Sequence, residues 1–256
     1  MSLYAEERQQ AMAQLIATHR RLSVAELAKQ YDVTQETVRR DLSALERMGL
    51  VRRVHGGAVP AGSLVIEPAL GERDAEHTEE KERIARAAVA ELPATGSTVL
   101  LDAGSTTARL AGLLPRDLEL VVHTHAVPVA ARLAGNPRVE LHLLPGRVRT
   151  TTQAAVGAET VDALRTLRAD VAFVGTNGLT VDHGLSTPDR DEAATKRALV
   201  ARARRVVVLA DSSKIGAEAP LSFAALTDVD VLVTDSGLGD EQRRELEGAG
   251  LQVVVA

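Results

Sequence analysis

The first sixty residues carry apolar positions at helical spacing, separated by polar residues that commonly begin or end helices. A helix is predicted over residues 6–19, where the apolar side chains share one face. Ser23, followed three positions later by Glu26, forms a capping box that predicts the start of a second, short helix. Thr34 is the expected N-cap of a third helix, whose apolar residues recur at i, i+4 and i+7. Gly49 is expected to end that helix.

A β-prone stretch that carries two arginines and a pair of glycines follows the third helix. This stretch, residues 50–59, predicts a two-stranded wing. Helix, tight turn, helix and wing are the layout of a winged helix-turn-helix, whose second helix enters the major groove of DNA. Residues 1–58 are therefore predicted to form a DNA-binding domain. The alternative interpretation is a plain helical hairpin whose arginines are solvated.

The polar face of the third helix supplies groups that suit base edges. Glutamine suits adenine, arginine suits guanine, and the threonine methyl group suits thymine. Arg39 and Arg40 diverge by about 100° around the helix. We therefore expect at most one of them to read a base, while the other contacts phosphate or pairs with an acid such as Glu36. With the helix caps and the basic wing included, the predicted DNA-contacting residues are Ser23, Thr34, Gln35, Glu36, Thr37, Arg39, Arg40, Arg52, Arg53 and His55.

The pattern changes after residue 58. Residues 59–75 contain proline and glycine without a clear period and are predicted to be a linker. In residues 76–256, apolar β-prone runs alternate with helical stretches, which predicts a mostly parallel sheet covered by helices. The strands are expected at residues 98–101, 118–122, 139–144, 171–174, 206–210, 229–234 and 252–255. The helices are expected at residues 79–91, 107–114, 127–134, 156–167, 190–203 and 240–247.

Charge and composition restrict the classes of function. Residues 1–60 hold nine Lys and Arg against seven Asp and Glu, whereas the remainder holds 21 against 28. Only the basic N-terminal domain is therefore expected to meet nucleic acid. The absence of cysteine excludes disulfides and thiolate metal sites and agrees with a reducing compartment. No apolar run approaches the roughly 20 residues of a membrane span, and no signal peptide is evident, so we expect a cytoplasmic protein without a membrane partner.

Three polar segments of the second domain follow predicted strands, where parallel sheets bind their ligands. Residues 102–107 (DAGSTT) open a helix whose N–H groups suit a phosphate, although an ordinary capped turn explains them equally well. Glu192 and Lys196 lie one helical turn apart, which is also the pattern of a solvated ion pair. Residues 211–214 (DSSK) place an acid and a lysine at a strand end, an arrangement that suits either a sugar phosphate or a polar turn.

The sequence from Val33 to Val59 resembles the N-terminal signature of the DeoR family of bacterial transcriptional regulators, most strongly in TVRRDL and HGGA. Further segments of the family follow in the same order: EEKERIARAAVA, LDAGSTT, DVAFVGTNGL, EAATKRALV and LADSSKIG. The resemblance implies a regulator of sugar catabolism whose second domain binds a phosphorylated sugar on a fold similar to ribose-5-phosphate isomerase. The expected fold class is α/β, with an N-terminal winged helix-turn-helix and a mostly parallel C-terminal sensor domain.

The family pattern, transferred residue by residue, implies an effector site in the sensor domain. Its members are Asp102, Gly104, Ser105, Thr106, Thr107, Glu192, Lys196, Asp211 and Lys214. The chain departs from the family at His125, where asparagine is usual, and at Arg147, where glycine is frequent. Either both residues contact the ligand, or both reflect drift at the rim of the site. His123 and His125 have strand spacing but no evident third ligand, so we expect neither a metal nor another cofactor.

Three functions follow from these patterns. The first is a repressor that a phosphorylated sugar releases from operator DNA. A loose similarity to actinobacterial fructose-operon regulators makes fructose 1-phosphate the first expectation. Such a repressor would act as a homo-oligomer, a dimer or tetramer, on half-sites about 34–36 Å apart. The alternatives are an isomerase-like sugar-phosphate enzyme, with Asp102, Glu192 or Lys196 as acid or base, and a DNA-binding protein that takes no effector. The attached DNA-binding domain favours a regulator over an enzyme, so we expect no catalytic residue.

Overall fold

The helices and the wing predicted for the N-terminal domain are present in the computed structural model. The structure describes residues 5–19, 22–54, 56–60 and 67–256. The chain divides into two units, Met1–Ile66 and Glu67–Ala256. The elements of the first unit are α1 (Ala5–His19), β1 (Leu22–Ser23), α2 (Val24–Tyr31), α3 (Gln35–Arg47), β2 (Val51–Val54) and β3 (Gly57–Pro60).

The helix boundaries in this unit are set by the caps that the sequence predicts. The Ser23 hydroxyl accepts the N–H of Glu26 at 3.1 Å, and the Glu26 carboxylate accepts the N–H of Ser23 at 2.7 Å. The Thr34 hydroxyl accepts the N–H of Thr37 at 3.2 Å. Gly49 ends α3 with φ of 69°, a left-handed conformation that glycine adopts without a steric penalty. The capping box, the second cap and the glycine stop are therefore confirmed.

The apolar stripes of the three helices meet in one core. The fully buried members are Met12, Ile16, Val24, Leu27, Val38, Leu42, Leu45, Val51 and Ala58. A polar clamp joins α1 to α3 at the edge of this core, because the buried Asp41 carboxylate accepts Arg8 Nε at 2.7 Å and Gln9 Nε2 at 2.8 Å. The clamp accounts for a buried acid within the otherwise exposed polar sequence of α3.

The wing is a three-stranded antiparallel sheet of order β1-β3-β2. Its two glycines have separate reasons. Gly56 has φ of 73°, in the left-handed region. A Cβ on Gly57 would lie 2.1 Å from the carbonyl oxygen of Leu22, where no side chain fits. The close pairing of β3 with β1 therefore requires glycine at position 57.

The boundary between the two units differs from the predicted linker at residues 59–75. Residues 57–60 are strand β3 of the wing, and residues 70–75 form a short helix of the second unit. The unit boundary lies between Ile66 and Glu67. Proline and glycine in this stretch therefore mark turns around regular elements rather than one continuous linker.

The second unit alternates strands and helices along the chain. Its helices are α4 (Leu70–Ala75), α5 (Thr78–Ala88), α6 (Ser105–Gly112), α7 (Val127–Leu133), α8 (Ala158–Arg165), α9 (Arg190–Arg202) and α10 (Asp240–Gly248). Its strands are β4 (Ser97–Leu101), β5 (Leu120–Thr124), β6 (Val139–Leu143), β7 (Arg147–Arg149), β8 (Ala154–Val156), β9 (Ala169–Val174), β10 (Gly178–Thr180), β11 (Gly184–Thr187), β12 (Ala203–Leu209), β13 (Leu221–Ala224), β14 (Val231–Thr234) and β15 (Gln252–Val255). Three 3₁₀ turns occur at Val89–Glu91, Ser212–Lys214 and Leu226–Asp228.

Seven of these strands form one sheet of order β15-β14-β12-β9-β4-β5-β6, in which every neighbouring pair is parallel. They are the seven strands expected from the apolar runs, so the predicted fold class is confirmed. Alternate residues of β4 belong to different cores: Val99 and Leu101 pack on one face and Leu100 on the other. Both faces are thus buried, which explains continuous apolar runs without alternation. The small antiparallel sheets β7-β8 and β10-β11-β13 were not predicted.

The carboxyl ends of the parallel strands meet at one edge of the large sheet. Asp102 follows β4, His125 follows β5, Gly175 follows β9 and Asp211 follows β12. Residues that are far apart in the sequence are thereby placed together, at the edge where such sheets bind ligands. In the described part of the chain, no helix is long and apolar enough to cross a membrane.

Candidate functional site

The polar face of α3 is exposed, as a recognition helix requires. Gln35, Glu36, Arg39 and Arg40 are exposed, and Thr37 is half-buried. Glu36 pairs with Arg39, with Oε2 and NH1 3.7 Å apart, which is one of the outcomes expected for the two arginines. Within the described ranges Arg40 forms no ion pair, so its guanidinium is the freer of the two for a phosphate contact.

The wing arginines do not all extend freely. The N–H of Arg53 donates to the Glu46 carboxylate at 2.7 Å, and its guanidinium donates to the Ser43 hydroxyl at 2.8 Å. Arg53 is therefore held against α3 and must release Ser43 to contact a DNA backbone. Arg52 lies on β2, but its side chain is outside the described residues, as is the whole of His55.

In the second unit a cleft lies at the carboxyl edge of the large sheet. The first turn of α6 and the loops after β9 and β12 form most of its lining, which includes the predicted residues Gly104, Ser105, Thr106, Thr107, Asp211 and Lys214. The residues that sequence reasoning missed are Arg73, Glu76, Lys81, Gly175, Thr176, Leu209 and Ala210. The volume of the cleft is about 30 Å³, room for one or two water molecules.

The turn that begins α6 has the form of an anion-binding helix start. Gly104 has φ of 155°, and the Thr107 hydroxyl donates to its carbonyl oxygen at 3.0 Å. The first N–H groups of a helix have no partner within that helix, and the helix dipole makes this end positive. The turn therefore offers several donors toward a negatively charged group in the cleft.

Lys81 supplies a buried cation beside this turn. Its ammonium donates to the carbonyl oxygens of Arg73 and Glu76, the latter at 2.6 Å. Burial lowers the pKa of Lys81 to about 8, opposed by Asp211 and reinforced by Lys214. Lys81 lies in the EEKERIARAAVA segment, but nothing in its local sequence indicates that α5 turns this side chain toward the cleft.

Asp102, predicted as a ligand contact, lies behind the cleft lining with no exposed surface. One carboxylate oxygen accepts the Lys196 ammonium and the N–H of Gly175, the latter at 2.9 Å. The other lies 2.9 Å from Nε2 of His125. Burial alone would raise the pKa of Asp102, but Lys196 and His125 hold it at about 2. Asp102 therefore positions Gly175, a residue of the cleft lining, rather than facing the cleft itself.

His125 is equally enclosed, although it was considered as a ligand donor. Besides Asp102, its ring contacts the Ala155 carbonyl oxygen at 2.8 Å through Nδ1, and the N–H of Ala103 lies 3.2 Å from Nε2. It thus bridges the ends of β4 and β5 to β8. The imidazole ring therefore contacts all three strands and helps to fix the position of the Asp102 carboxylate.

Glu192 belongs to a second buried charge cluster. Its carboxylate lies 2.7 Å from the Arg149 guanidinium, which also lies 3.0 Å from Glu67 and 3.3 Å from Asp189. Burial raises the pKa of Glu67, and the charge of Glu192 raises it further. The pKa of Glu192 is lowered overall, because Lys196, Thr152 and Arg149 outweigh burial.

The other departure from the family, Arg147, lies at the surface. It pairs with Asp191 at 2.7 Å and does not line the cleft, whereas Arg149 reaches the buried acids. The two arginines are two residues apart on β7 and so share a face. Position alone therefore did not distinguish them.

The histidine pair that follows strand spacing separates in the structure. His123 stacks on His142, with ring centroids 4.4 Å apart, while His125 turns to Asp102. Among the residues described, no group of three or more His, Cys, Asp or Glu side chains is arranged to hold a metal ion.

Two families match the chain: the DeoR-like helix-turn-helix domain over residues 8–63 and the DeoR C terminal sensor domain over residues 76–236. The HTH-type transcriptional regulator GlpR of Haloferax volcanii is 38% identical over 97% of this chain and 96% of its own length. The glycerol-3-phosphate regulon repressor of Escherichia coli strain K12 is 33% identical over 90% of each chain. Ribose 5-phosphate isomerase A from Methanocaldococcus jannaschii, a solved structure, matches 55% of each chain at 18% identity with a TM-score of 0.41.

One family match falls on each unit. The alignment with GlpR runs through both units and covers nearly the whole length of both proteins. The family models thus cover α3 and most of the second unit. The chain belongs to the DeoR family of transcriptional regulators.

Proposed function

We propose that this protein is a repressor of a sugar-catabolism operon, and that a phosphorylated sugar bound in the cleft lowers its affinity for operator DNA. The observation that carries the proposal is the convergence of cations on a helix start. Lys81 and Lys214 line the same cleft as the first turn of α6. Positive charge and free N–H groups together suit a phosphate dianion.

The rest of the lining suits the sugar part of such a ligand. Asp211 lines the cleft and supplies carboxylate oxygens that accept hydrogen bonds from hydroxyl groups. Asp102 and Lys196 lie behind the lining and hold Gly175 in place. In this proposal they shape the site and do not contact the ligand directly.

The identity of the sugar is open to direct test. Fructose 1-phosphate remains the first expectation from the sequence. The Escherichia coli relative is named as a glycerol-3-phosphate regulon repressor, which adds glycerol 3-phosphate as a second candidate. Both compounds carry the phosphate monoester and hydroxyl groups for which the cleft lining is suited.

The operator is proposed to be bound by the paired DNA-binding units of a dimer or tetramer. The first sixty residues have a charge excess of only two, nine Lys and Arg against seven Asp and Glu. Each DNA phosphate that the protein neutralises adds to affinity through counterion release, so one DNA-binding unit alone binds DNA weakly. Two DNA-binding units on half-sites about 34–36 Å apart supply the additional phosphate contacts.

The test measures operator affinity directly. Duplexes that the full chain selects from a random pool are titrated by fluorescence anisotropy at one fixed salt concentration. We expect a sugar phosphate to weaken binding by about 5- to 150-fold, the range of typical allosteric coupling. The parent sugar and inorganic phosphate serve as controls. No change with any compound would favour the effector-independent DNA-binding protein, and turnover of ribose 5-phosphate would favour the enzyme.

A further inference from the structure

The segment that leads into the sensor, Glu67–Glu76, forms one wall of the cleft through Arg73 and Glu76. We propose that this segment, the entry strap, is the part that a sugar phosphate displaces, and that its displacement couples the cleft to the DNA-binding unit. The inference rests on the proposed function, since it requires a sugar phosphate in that cleft. The strap is the first described part of the sensor after the N-terminal unit in the chain.

Space is the first argument for displacement. The cleft has a volume of about 30 Å³, whereas small-molecule pockets usually reach about 300 Å³ or more. Part of the lining must therefore move to admit a sugar phosphate. The α6 turn and the loop after β9 are poor candidates, because Ser105, Thr107 and Thr176 are buried.

The strap is the wall that can yield. Its helix α4 has no buried residue. Apolar anchoring begins only in α5, with Ile84 and Ala85. Displacing the strap therefore costs polar contacts but exposes little core, so the free-energy cost stays within what a ligand can supply.

The first residues of the strap form polar contacts with Arg149 and Thr151. Glu67 pairs with Arg149 at 3.0 Å, and Arg149 in turn pairs with Glu192 at 2.7 Å. The N–H of Leu70 donates to the carbonyl oxygen of Thr151 at 2.8 Å. The strap is thus fastened at its start to the buried pair of Arg149 and Glu192, and the charge of Glu192 interacts with that of Lys196 behind the cleft lining.

The other end of the strap is bonded to α6, whose first turn is the proposed phosphate site. Asp74 pairs with Arg109 of α6, whose guanidinium also donates to the Ser105 carbonyl oxygen at 3.1 Å. The Lys81 ammonium donates to the carbonyl oxygens of Arg73 and Glu76. A phosphate that draws this ammonium toward the first turn of α6 weakens both of its bonds to the strap carbonyls. The ligand that needs the space therefore also loosens the contacts that hold the strap across the cleft.

Hydrogen exchange of the full-length protein tests the direction of the movement. Fructose 1-phosphate and glycerol 3-phosphate are the probes, with inorganic phosphate alongside. We expect slower exchange of the amides of residues 105–107 and faster exchange of those of residues 70–76. Slower exchange in both segments would mean that the strap closes over the ligand, and it would overturn the inference.

A matched pair of variants tests the coupling. Glu67→Gln removes the charge that pairs with Arg149 at 3.0 Å and with Arg73 at 3.6 Å, whereas Glu72→Gln removes the same charge from an exposed position that has no ion pair in the described chain. We expect Glu67→Gln to tighten sugar-phosphate binding at least about threefold, because it weakens a largely buried ion pair that displacement of the strap must break. The concentration that half-releases operator DNA should fall by the same factor, with Glu72→Gln unchanged.

The outcomes separate this inference from the proposed function. If a sugar phosphate protects residues 105–107 and weakens operator binding while Glu67→Gln behaves like Glu72→Gln, the strap is not the coupling element and the proposed function stands. If neither probe changes exchange or operator affinity, the proposed function fails and the strap inference fails with it.

Discussion

Lys81 is the cation whose charge should set how tightly the sensor holds a phosphorylated sugar. Its pKa is lowered to about 8 by burial, opposed by Asp211 and reinforced by Lys214. A lysine with that pKa is about 90% protonated at pH 7 and about 10% at pH 9. Bound phosphate favours the ammonium and raises its pKa. Affinity should therefore fall about twofold from pH 7 to pH 8 and about tenfold from pH 7 to pH 9.

Titration calorimetry at pH 7, 8 and 9 measures this fall. A sugar phosphate is already dianionic in that range, since its second ionisation lies near pH 6. Lys81→Arg keeps the charge at all three pH values and should abolish the fall. Lys29→Arg, at an exposed position of α2, should retain it. Level wild-type affinity from pH 7 to 9, or an equal fall in Lys81→Arg, would refute the assignment of Lys81.

Three further substitutions test other parts of the structure. Gly57→Ala places a Cβ 2.1 Å from a backbone oxygen and should destabilise the DNA-binding unit by about 1–3 kcal/mol, measured by thermal unfolding. Lys196→Met leaves the buried Asp102 carboxylate uncompensated and should cost about 3–5 kcal/mol in urea denaturation. Because the pKa of Asp102 is held at about 2, this difference should be complete above about pH 4 and shrink as the pH falls through 2. Arg40→Ala should weaken all operators alike and reduce the salt slope by about 0.9.

Each of these predictions has a contrary result. Gly57→Ala should unfold at a lower temperature than Gly112→Ala, whose Cβ meets open space, and equal midpoints would contradict the packing argument. A Lys196→Met deficit that persists unchanged at pH 2 would contradict the role of the Asp102 charge. A changed base preference with an unchanged salt slope would make Arg40 a base-reading residue rather than a phosphate contact.

The sequence predicts the fold well because local rules and burial agree. The central strands β4, β9, β12 and β14 place alternate residues in the two cores, so their apolar runs carry few polar positions that obscure the strands. The caps at Ser23 and Thr34 are short-range contacts that the spacing of residues already defines. The small antiparallel strands β10 and β11 were missed because each has only three or four residues.

The candidate site was only partly predictable, because its charges are joined over long sequence distances. Glu67 lies 82 residues from Arg149, and no local pattern indicates that they pair. Lys81 and Arg73 resemble ordinary solvated residues of a charged helical stretch. Conversely, Asp102 was expected to face a ligand because of its position after β4, yet Lys196 and His125 already occupy its carboxylate.

The central claim is that a ligand in the sensor controls the DNA-binding unit. The most direct measurement is operator affinity of the full chain at one fixed salt concentration, with and without fructose 1-phosphate or glycerol 3-phosphate at saturation. We expect operator affinity to fall at least about fivefold with a sugar phosphate and to stay unchanged with its parent compound. Operator affinity that stays constant although the compound demonstrably binds would contradict it.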